Sequence, residues 1–238
     1  CLIHFSNPPY FFYDFSSNLK PSLFSSSWNN SMRFSLSFAV ILVVLVATVL
    51  AVTSEVLKPR QSKNKSDKKM INILSAIHVQ ANRDNAKQEY AKYIFDETLI
   101  DYKGNILEGS AFDVNVLLQY KDKTLSPADI KYPLFKAKKD DKEYTIVPMA
   151  GSGLWGPVWG FVSFESDYVT IYGASFSHKK ETPGLGAEIN TALFEEPFKG
   201  KKIINKDGVF VSIKVKKGGA EEGNLHQVDA ITGGTITS

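Results

Sequence analysis

Residues Phe34 to Thr53 run without a charge and consist mainly of Val, Leu, Ile and Ala. An α-helix rises about 1.5 Å per residue, so about 20 such residues span the roughly 30 Å of hydrocarbon in a bilayer. A core helix of a soluble domain rarely reaches this length without a polar face. A cleavable signal peptide has a shorter apolar region, and Ala51-Val52-Thr53 is a weak cleavage site. The run therefore reads as one uncleaved transmembrane helix over residues 34–53. The chain after it must fold while tethered to a membrane.

The flanks carry a second signal. Arg33 precedes the span, whereas Lys58, Arg60, Lys63, Lys65, Lys68 and Lys69 follow it, against Glu55 and Asp67. Flanking charge taken alone places the C-terminal part in the cytoplasm. Residues 1–31 start with Cys1 and are rich in Ser, Phe, Asn and Pro without periodicity. Met32-Arg33 ahead of the apolar run has the form of a natural start. Residues 1–31 are therefore expected to be upstream, non-native sequence, with a disordered tail as the alternative. Residues 54–69 read as a charged linker and 70–238 as the globular domain.

The 238 residues, 43% of them hydrophobic, suffice for one ordinary domain beside the anchor. A net charge of +3 is too small to point to nucleic acid. Cys1 is the single cysteine, so no intrachain disulfide forms. His4, His78, His178 and His226 are scattered singly, without metal-ligand spacing, and no metal site is expected.

Met70, Ile73, Leu74 and Ile77 share one helical face, and a second helix is expected over Asn85–Glu97. Phe112, Val114, Val116 and Leu118 alternate as a strand does, as do Glu143–Met149 and Val209–Val215. Phe161–Phe164 and Tyr168–Tyr172 read as hairpin arms joined at Glu165-Ser166-Asp167. A helix is expected from Ala187 to Phe194, ending before Pro197. Strands and helices without regular βαβ units indicate an α+β domain.

Three irregular segments carry the chemistry. Gly151-Ser152-Gly153-Leu154-Trp155-Gly156-Pro157-Val158-Trp159-Gly160 is too rich in Gly and Pro for regular structure, yet holds two tryptophans. Leu154 and Trp155 can form a wall for a planar ring; the plainer reading is that the tryptophans plug the core. Glu181-Thr182-Pro183-Gly184-Leu185-Gly186-Ala187-Glu188 is a turn leading into a helix, whose amides and Thr182 can meet a polar ligand edge. Taken alone it is an ordinary turn and cap. The last ten residues place Asp229, Thr232, Gly233, Gly234 and Thr235 at fixed spacing. Two glycines let a bulky group approach the backbone, and their amides can hold an anion beside the Thr235 hydroxyl.

That terminal segment resembles the flavinylation motif Asp-x-x-Ser/Thr-Gly-Ala-Ser/Thr, with Gly234 where alanine is usual. In such domains a flavin transferase takes FMN from FAD and esterifies its phosphate to the last hydroxyl, which corresponds to Thr235. With Gly-x-Gly-Leu-Trp-Gly and Glu-Thr-Pro-Gly-Leu-Gly in the same order, residues 32–238 resemble the NqrC family, the C subunits of the sodium-translocating NADH:quinone oxidoreductase. The Leu57-Lys58-Pro59-Arg60-Gln61 exit and the helix start at Lys69–Leu74 join in the match. The G subunit of the RNF electron-transport complex shares the terminal motif and is the nearest rival.

The resemblance implies a single N-terminal transmembrane helix followed by an extracytoplasmic FMN-binding α+β domain, on the periplasmic side of a bacterial inner membrane. It thus opposes the flanking charge, and the motif is followed because long domains translocate regardless of it. Glu181, Thr182 and Leu185 are implied to contact the isoalloxazine, and Lys217, rather than Lys216, to approach it. The family continues past the motif, so the domain is expected to be truncated at Ser238. The implied function is a one-electron relay within a translocase that reduces ubiquinone with NADH and moves sodium. The implied partners are the other subunits, the flavin transferase and membrane lipid, with NADH oxidation and sodium movement left to other subunits. Thr182 and Lys217 would stabilise the reduced, anionic flavin. No nucleophile–base pair is evident, so no catalytic residue is assigned. A cofactor-free anchored interaction module and a stand-alone extracytoplasmic reductase are the readings from other classes.

Overall fold

The computed structural model describes residues 25–234 and Thr237, with side chains from residue 30 onward. Thr235, the expected acceptor, lies outside the described residues, as does most of the expected non-native segment 1–31. The chain divides into two compact units at Pro59/Arg60.

The described part of the first unit is helical. Helix α1 runs over Ser25–Ser75 and contains the apolar run, whose most apolar 18-residue window has a mean hydropathy of 2.8. Its large side chains are exposed all round, from Phe34 to Val56. The hydroxyls of Ser37, Thr48 and Thr53 donate to the carbonyls of Arg33, Val44 and Val49, four residues back. These three hydroxyls are thereby satisfied within the helix itself, as hydrocarbon surroundings require. Residues 54–69, expected as a linker, continue α1 instead. Straight-chain residues favour the helix there, and it tolerates Pro59 at the loss of one backbone bond.

The second unit is built on a six-stranded antiparallel sheet in the order β2-β1-β3-β4-β5-β6. Its strands are β1 (Ile94–Ile100), β2 (Ile106–Leu107), β3 (Tyr132–Lys139), β4 (Lys142–Ser152), β5 (Pro157–Phe164) and β6 (Ile171–His178). Strand β5 serves both faces, because successive side chains point to opposite sides. Phe161 joins one apolar cluster with Ile73 and Leu74 of α1, Ile77 of the turn after it, Phe135 and Ile146. Val162 joins the other, with Ile171, Ile189, Phe194, Phe198 and Val228. Each fully buried side chain of this size contributes about 1.5–3 kcal/mol. The end of α1 is fixed to the sheet by Ser163, whose hydroxyl donates to the Ala76 carbonyl at 2.5 Å.

The second face carries short elements. A 3-10 turn at Gly186–Asn190, helix α4 (Ala192–Glu195) and a 3-10 turn at Glu196–Phe198 are followed by parallel strands β7 (Lys214–Lys216) and β8 (Gln227–Asp229). The single helix expected over 187–194 is therefore broken, since Thr191 is extended at φ −105°, ψ 153°. Pro197 lies inside the last turn, at a position where its missing N–H costs nothing. The expected strand Val209–Val215 is interrupted by Ser212 at φ +60°, leaving a bridge between Ile204 and Phe210 and the short β7.

Three other expectations shift. The expected helix 85–97 is helix α2 (Ala86–Tyr93), and the chain turns into β1 at Ile94. The expected strand 112–118 is instead a turn and helix α3 (Val116–Lys121). Asn115 caps it by accepting from the Leu118 amide at 3.2 Å. The Lys69 ammonium takes the Phe112 and Val114 carbonyls, which removes the need for a ladder there. The Gly-rich segment is also more regular than expected: β4 and β5 pair up to Ser152 and Pro157, so only Gly153-Leu154-Trp155-Gly156 is loop. The Glu143–Met149 strand stands where the alternation placed it, and the hairpin forms, but its second arm starts at Ile171 and not at Tyr168, which lies in the turn at φ +56°.

Candidate functional site

The β4–β5 loop, the loop after β6, the end of β7 and the segment after β8 meet in one cleft of about 280 Å³. Its lining unites Leu154 and Trp155, Glu181, Thr182 and Leu185, Lys217, and Gly233 and Gly234. Among the described residues, the expected Asp229 and Thr232 stand outside it. Gly186, the last glycine of the Glu-Thr-Pro-Gly-Leu-Gly motif, and Thr237, which lies beyond the terminal motif, belong to it although neither was an expected site residue.

One wall is apolar and open. Trp155 is 64% exposed, Leu154 52% and Leu185 42%, so neither Trp155 nor its neighbours plug the core. A large aromatic side chain held at the surface beside two leucines is a surface awaiting a partner. Trp159 faces elsewhere, into a separate cavity with Met149 and Phe112.

The floor is polar and closed. Glu181 is only 5% exposed. Its Oε1 accepts from the Trp155 amide at 3.0 Å, and its Oε2 accepts from the Thr237 hydroxyl at 2.7 Å. The same Thr237 oxygen accepts from the Leu154 amide at 3.3 Å. Burial pushes the Glu181 carboxyl up, but the Thr237 hydroxyl and the Trp155 and Gly156 amides outweigh it and hold the group below its ordinary value. Glu181 is therefore an ionised carboxylate engaged by the protein's own donors. Glycine is required on both sides of it. A Cβ at Gly153 would sit 2.5 Å from Oε1, and one at Gly186 2.6 Å from Oε2.

The rim supplies free polar groups. The Thr182 side chain and the Lys217 ammonium make no hydrogen bond or ion pair among the described residues. Lys217, not Lys216, lines the cleft; Lys216 lies in β7 opposite Asp229. Asp229 acts from outside, its Oδ1 accepting from the Ala220 amide at 2.5 Å. That bond pins the Gly218-Gly219 turn just after Lys217. The terminal segment enters by a turn closed from the Gly234 amide to the Ile231 carbonyl at 2.9 Å. Gly233 sits there at φ +77°, and a Cβ on it would lie 2.5 Å from Leu185 Cδ2. Thr232 is exposed beside this turn.

These residues fit a flavin. The open wall matches the apolar face of a fused ring, while a hydroxyl and a cation on the rim match its polar edge. At about 280 Å³ the cleft is near the small end of ligand sites, about 300–1,000 Å³, and suits a ring system with its chain leading out.

Comparison with known proteins agrees with this geometry. Residues 153–238 match the family model described as FMN-binding domain. The C subunit of the Na(+)-translocating NADH-quinone reductase of Vibrio alginolyticus is 31% identical over 228 residues, covering 90% of this chain and 88% of that one. The protein of the same name from Haemophilus ducreyi is 31% identical over 225 residues, covering 88% and 86%. Among solved structures, the C subunit from Parabacteroides distasonis is 41% identical with a TM-score of 0.69, covering 76% of this chain and 87% of that one. NqrC of Shewanella oneidensis is 28% identical with a TM-score of 0.62, covering 73% and 87%.

Proposed function

The chain belongs to the NqrC family, the C subunits of the Na(+)-translocating NADH-quinone reductases, and from that premise we propose that it carries FMN covalently on Thr235 and relays electrons between redox centres of such a complex. The observation that carries the reading is the convergence of three motifs, far apart in sequence, on one cleft with an exposed tryptophan wall and an unpaired lysine. The α1 span anchors the domain to a bacterial inner membrane, with the cleft on the outer side. The other subunits are its working partners; they oxidise NADH and move sodium, and the whole is a translocase.

Attachment is a group transfer that a flavin transferase catalyses. The Thr235 hydroxyl attacks the FMN phosphorus of FAD, the phosphoanhydride bond breaks, a phosphoester forms at Oγ1, AMP leaves, and the hydroxyl proton is released. Once bound, FMN supplies electron-transfer chemistry that no side chain here can provide. The protein positions and tunes it. Leu154, Trp155 and Leu185 would cover a ring face and exclude water. Thr182 would offer a hydrogen bond at the ring edge. The Lys217 ammonium would favour negative charge on the ring, because a nearby opposite charge stabilises the charged form. Asp229 keeps Lys217 in reach by fixing the turn behind it.

The test is flavin fluorescence in a denaturing gel after co-expression of the full chain with a flavin transferase. A fluorescent band for the wild type and none for Thr235→Ala supports the reading. A dark wild-type band from folded protein beside an active transferase overturns it.

A further inference from the structure

Glu181 sits in the cleft floor, but its carboxylate is not offered to a ligand. Its two oxygens join two separate parts of the chain to the loop after β6. Oε1 holds the amide of Trp155, in the β4–β5 turn, and Oε2 holds the hydroxyl of Thr237, in the terminal segment. Thr237 closes the triangle, since its oxygen accepts from the amide of Leu154 in that same turn. The Thr237 amide donates in addition to the Gly234 carbonyl at 3.0 Å. Thr237 is thus fixed both to the floor of the cleft and to the glycine of the hydroxyl-bearing motif.

We propose that Glu181 and Thr237 form a clasp that positions the tryptophan wall and the terminal motif against one another and thereby speeds flavin attachment to that motif; this rests on the function proposed above. Thr237 is then a positioning residue and not a second acceptor. It is buried, and its hydroxyl proton is already committed to Glu181. Thr232 is exposed and outside the cleft, and no such clasp holds it.

The surrounding residues fit this role and no simpler one. A buried carboxylate without donors is destabilising, so Glu181 needs the hydroxyl and amides that meet it. An aliphatic side chain would fill the floor equally well if packing were its only task. Gly153 and Gly186 leave no room for a Cβ beside either oxygen, which keeps the three segments at hydrogen-bonding distance. The Trp155 side chain is mostly exposed, so its orientation depends on backbone anchoring and not on burial.

The clasp predicts two readouts on the full chain. Amide hydrogen exchange of Leu154 and Trp155 in the flavin-free protein reports it directly. The initial rate of covalent FMN incorporation, with purified flavin transferase and FAD, reports its purpose. Thr237→Ser keeps the hydroxyl and should match the wild type in both. Thr237→Val removes it, and Glu181→Gln leaves one acceptor for two donors. Both should raise Trp155 exchange and lower the incorporation rate, each by about ten-fold, the equivalent of one charge-assisted hydrogen bond. Protection of Phe161 and Val162 in β5 checks that the sheet stays folded; if Thr237→Val loses it, the serine and glutamine variants decide.

Wild-type exchange and incorporation in both Thr237→Val and Glu181→Gln would overturn the clasp. Raised exchange with unchanged incorporation would overturn its role in attachment. Exchange that follows the clasp while even the wild type takes no FMN would support the clasp and overturn the flavin reading on which its purpose rests.

Discussion

Both faces of the sheet bury an apolar cluster, but the second adds a cleft that is held by different forces. On one face Ile73, Leu74, Ile77, Phe135 and Ile146 are all fully buried, and Lys69 takes the carbonyls of Phe112 and Val114. On the other, short turns and a two-stranded parallel ladder surround a cleft whose largest side chain, Trp155, remains mostly in solvent. The first face is stabilised by apolar area and tolerates only changes that conserve volume. The second also buries an apolar cluster, with Ile171, Ile189, Phe194, Phe198 and Val228, but at the cleft it leaves apolar area open and is held in shape by a buried carboxylate and its donors. A molecule that exposes its best packing residue at one place and buries a charge beside it is organised there for a ligand.

The largest effect should come from the packed face. Phe135→Ala removes a fully buried ring and should cost about 3–5 kcal/mol of stability, read as a drop in the denaturant midpoint. An effect below about 1 kcal/mol would mean that this cluster is not the core of the unit. Gly186→Ala should come next. Its Cβ would lie 2.6 Å from Glu181 Oε2 and 2.8 Å from Thr237 Oγ1, so the overpacking should cost about 1–3 kcal/mol. It should also depress FMN incorporation more than Phe135→Ala does at equal folded fraction. Equal incorporation in the two would remove the distinction between the faces.

Trp155→Ala should be nearly silent in stability, within about 0.5 kcal/mol, because the side chain is exposed. It should nonetheless raise the solvent accessibility of bound flavin, measured by iodide quenching of its fluorescence. Unchanged quenching would mean that the tryptophan covers no ring.

The smallest effect concerns pH. The carboxyl of Glu181 is held below its ordinary value in the folded chain, so its contribution is present above the unfolded value of about 4.3. That contribution should be lost only as pH falls through the lower folded value. The Nδ1 of His178 accepts from the Glu181 amide, and the Lys217 ammonium on the rim supplies positive charge beside the cleft. Trp155 amide protection should therefore hold at pH 5, and its loss there would contradict the clasp.

Much of this was legible in the sequence, and the exceptions have physical causes. The anchor was readable because the absence of charge over such a length has few other meanings. The hairpin itself was readable from alternation and turn residues, but its second arm was placed too early, because Tyr168 adopts a left-handed backbone in the turn and the strand starts at Ile171. Asn115 hid a helix inside an alternating run, since its capping side chain and the distant Lys69 supply bonds that periodicity does not encode. Ser212 broke a plausible strand through its own left-handed backbone. At the site, the motifs supplied the walls and the rim. They did not supply Thr237, which lies beyond the motif's last hydroxyl and gains its role only when the loop after β6 brings Glu181 under it. Nor did they indicate that Glu181 faces protein donors, or that Asp229 acts from outside the cleft.

The central claim is that flavin attaches to one particular hydroxyl of the terminal segment. Digestion after Lys217 releases residues 218–238 as one peptide with Thr232, Thr235 and Thr237 together, because no lysine or arginine follows Lys217. Fragmentation mass spectrometry of that peptide, from chain co-expressed with a flavin transferase, locates the attachment. The account predicts FMN on Thr235 alone, with Thr232 and Thr237 unmodified. FMN on Thr237 or Thr232, or a peptide free of FMN despite an active transferase, would contradict it.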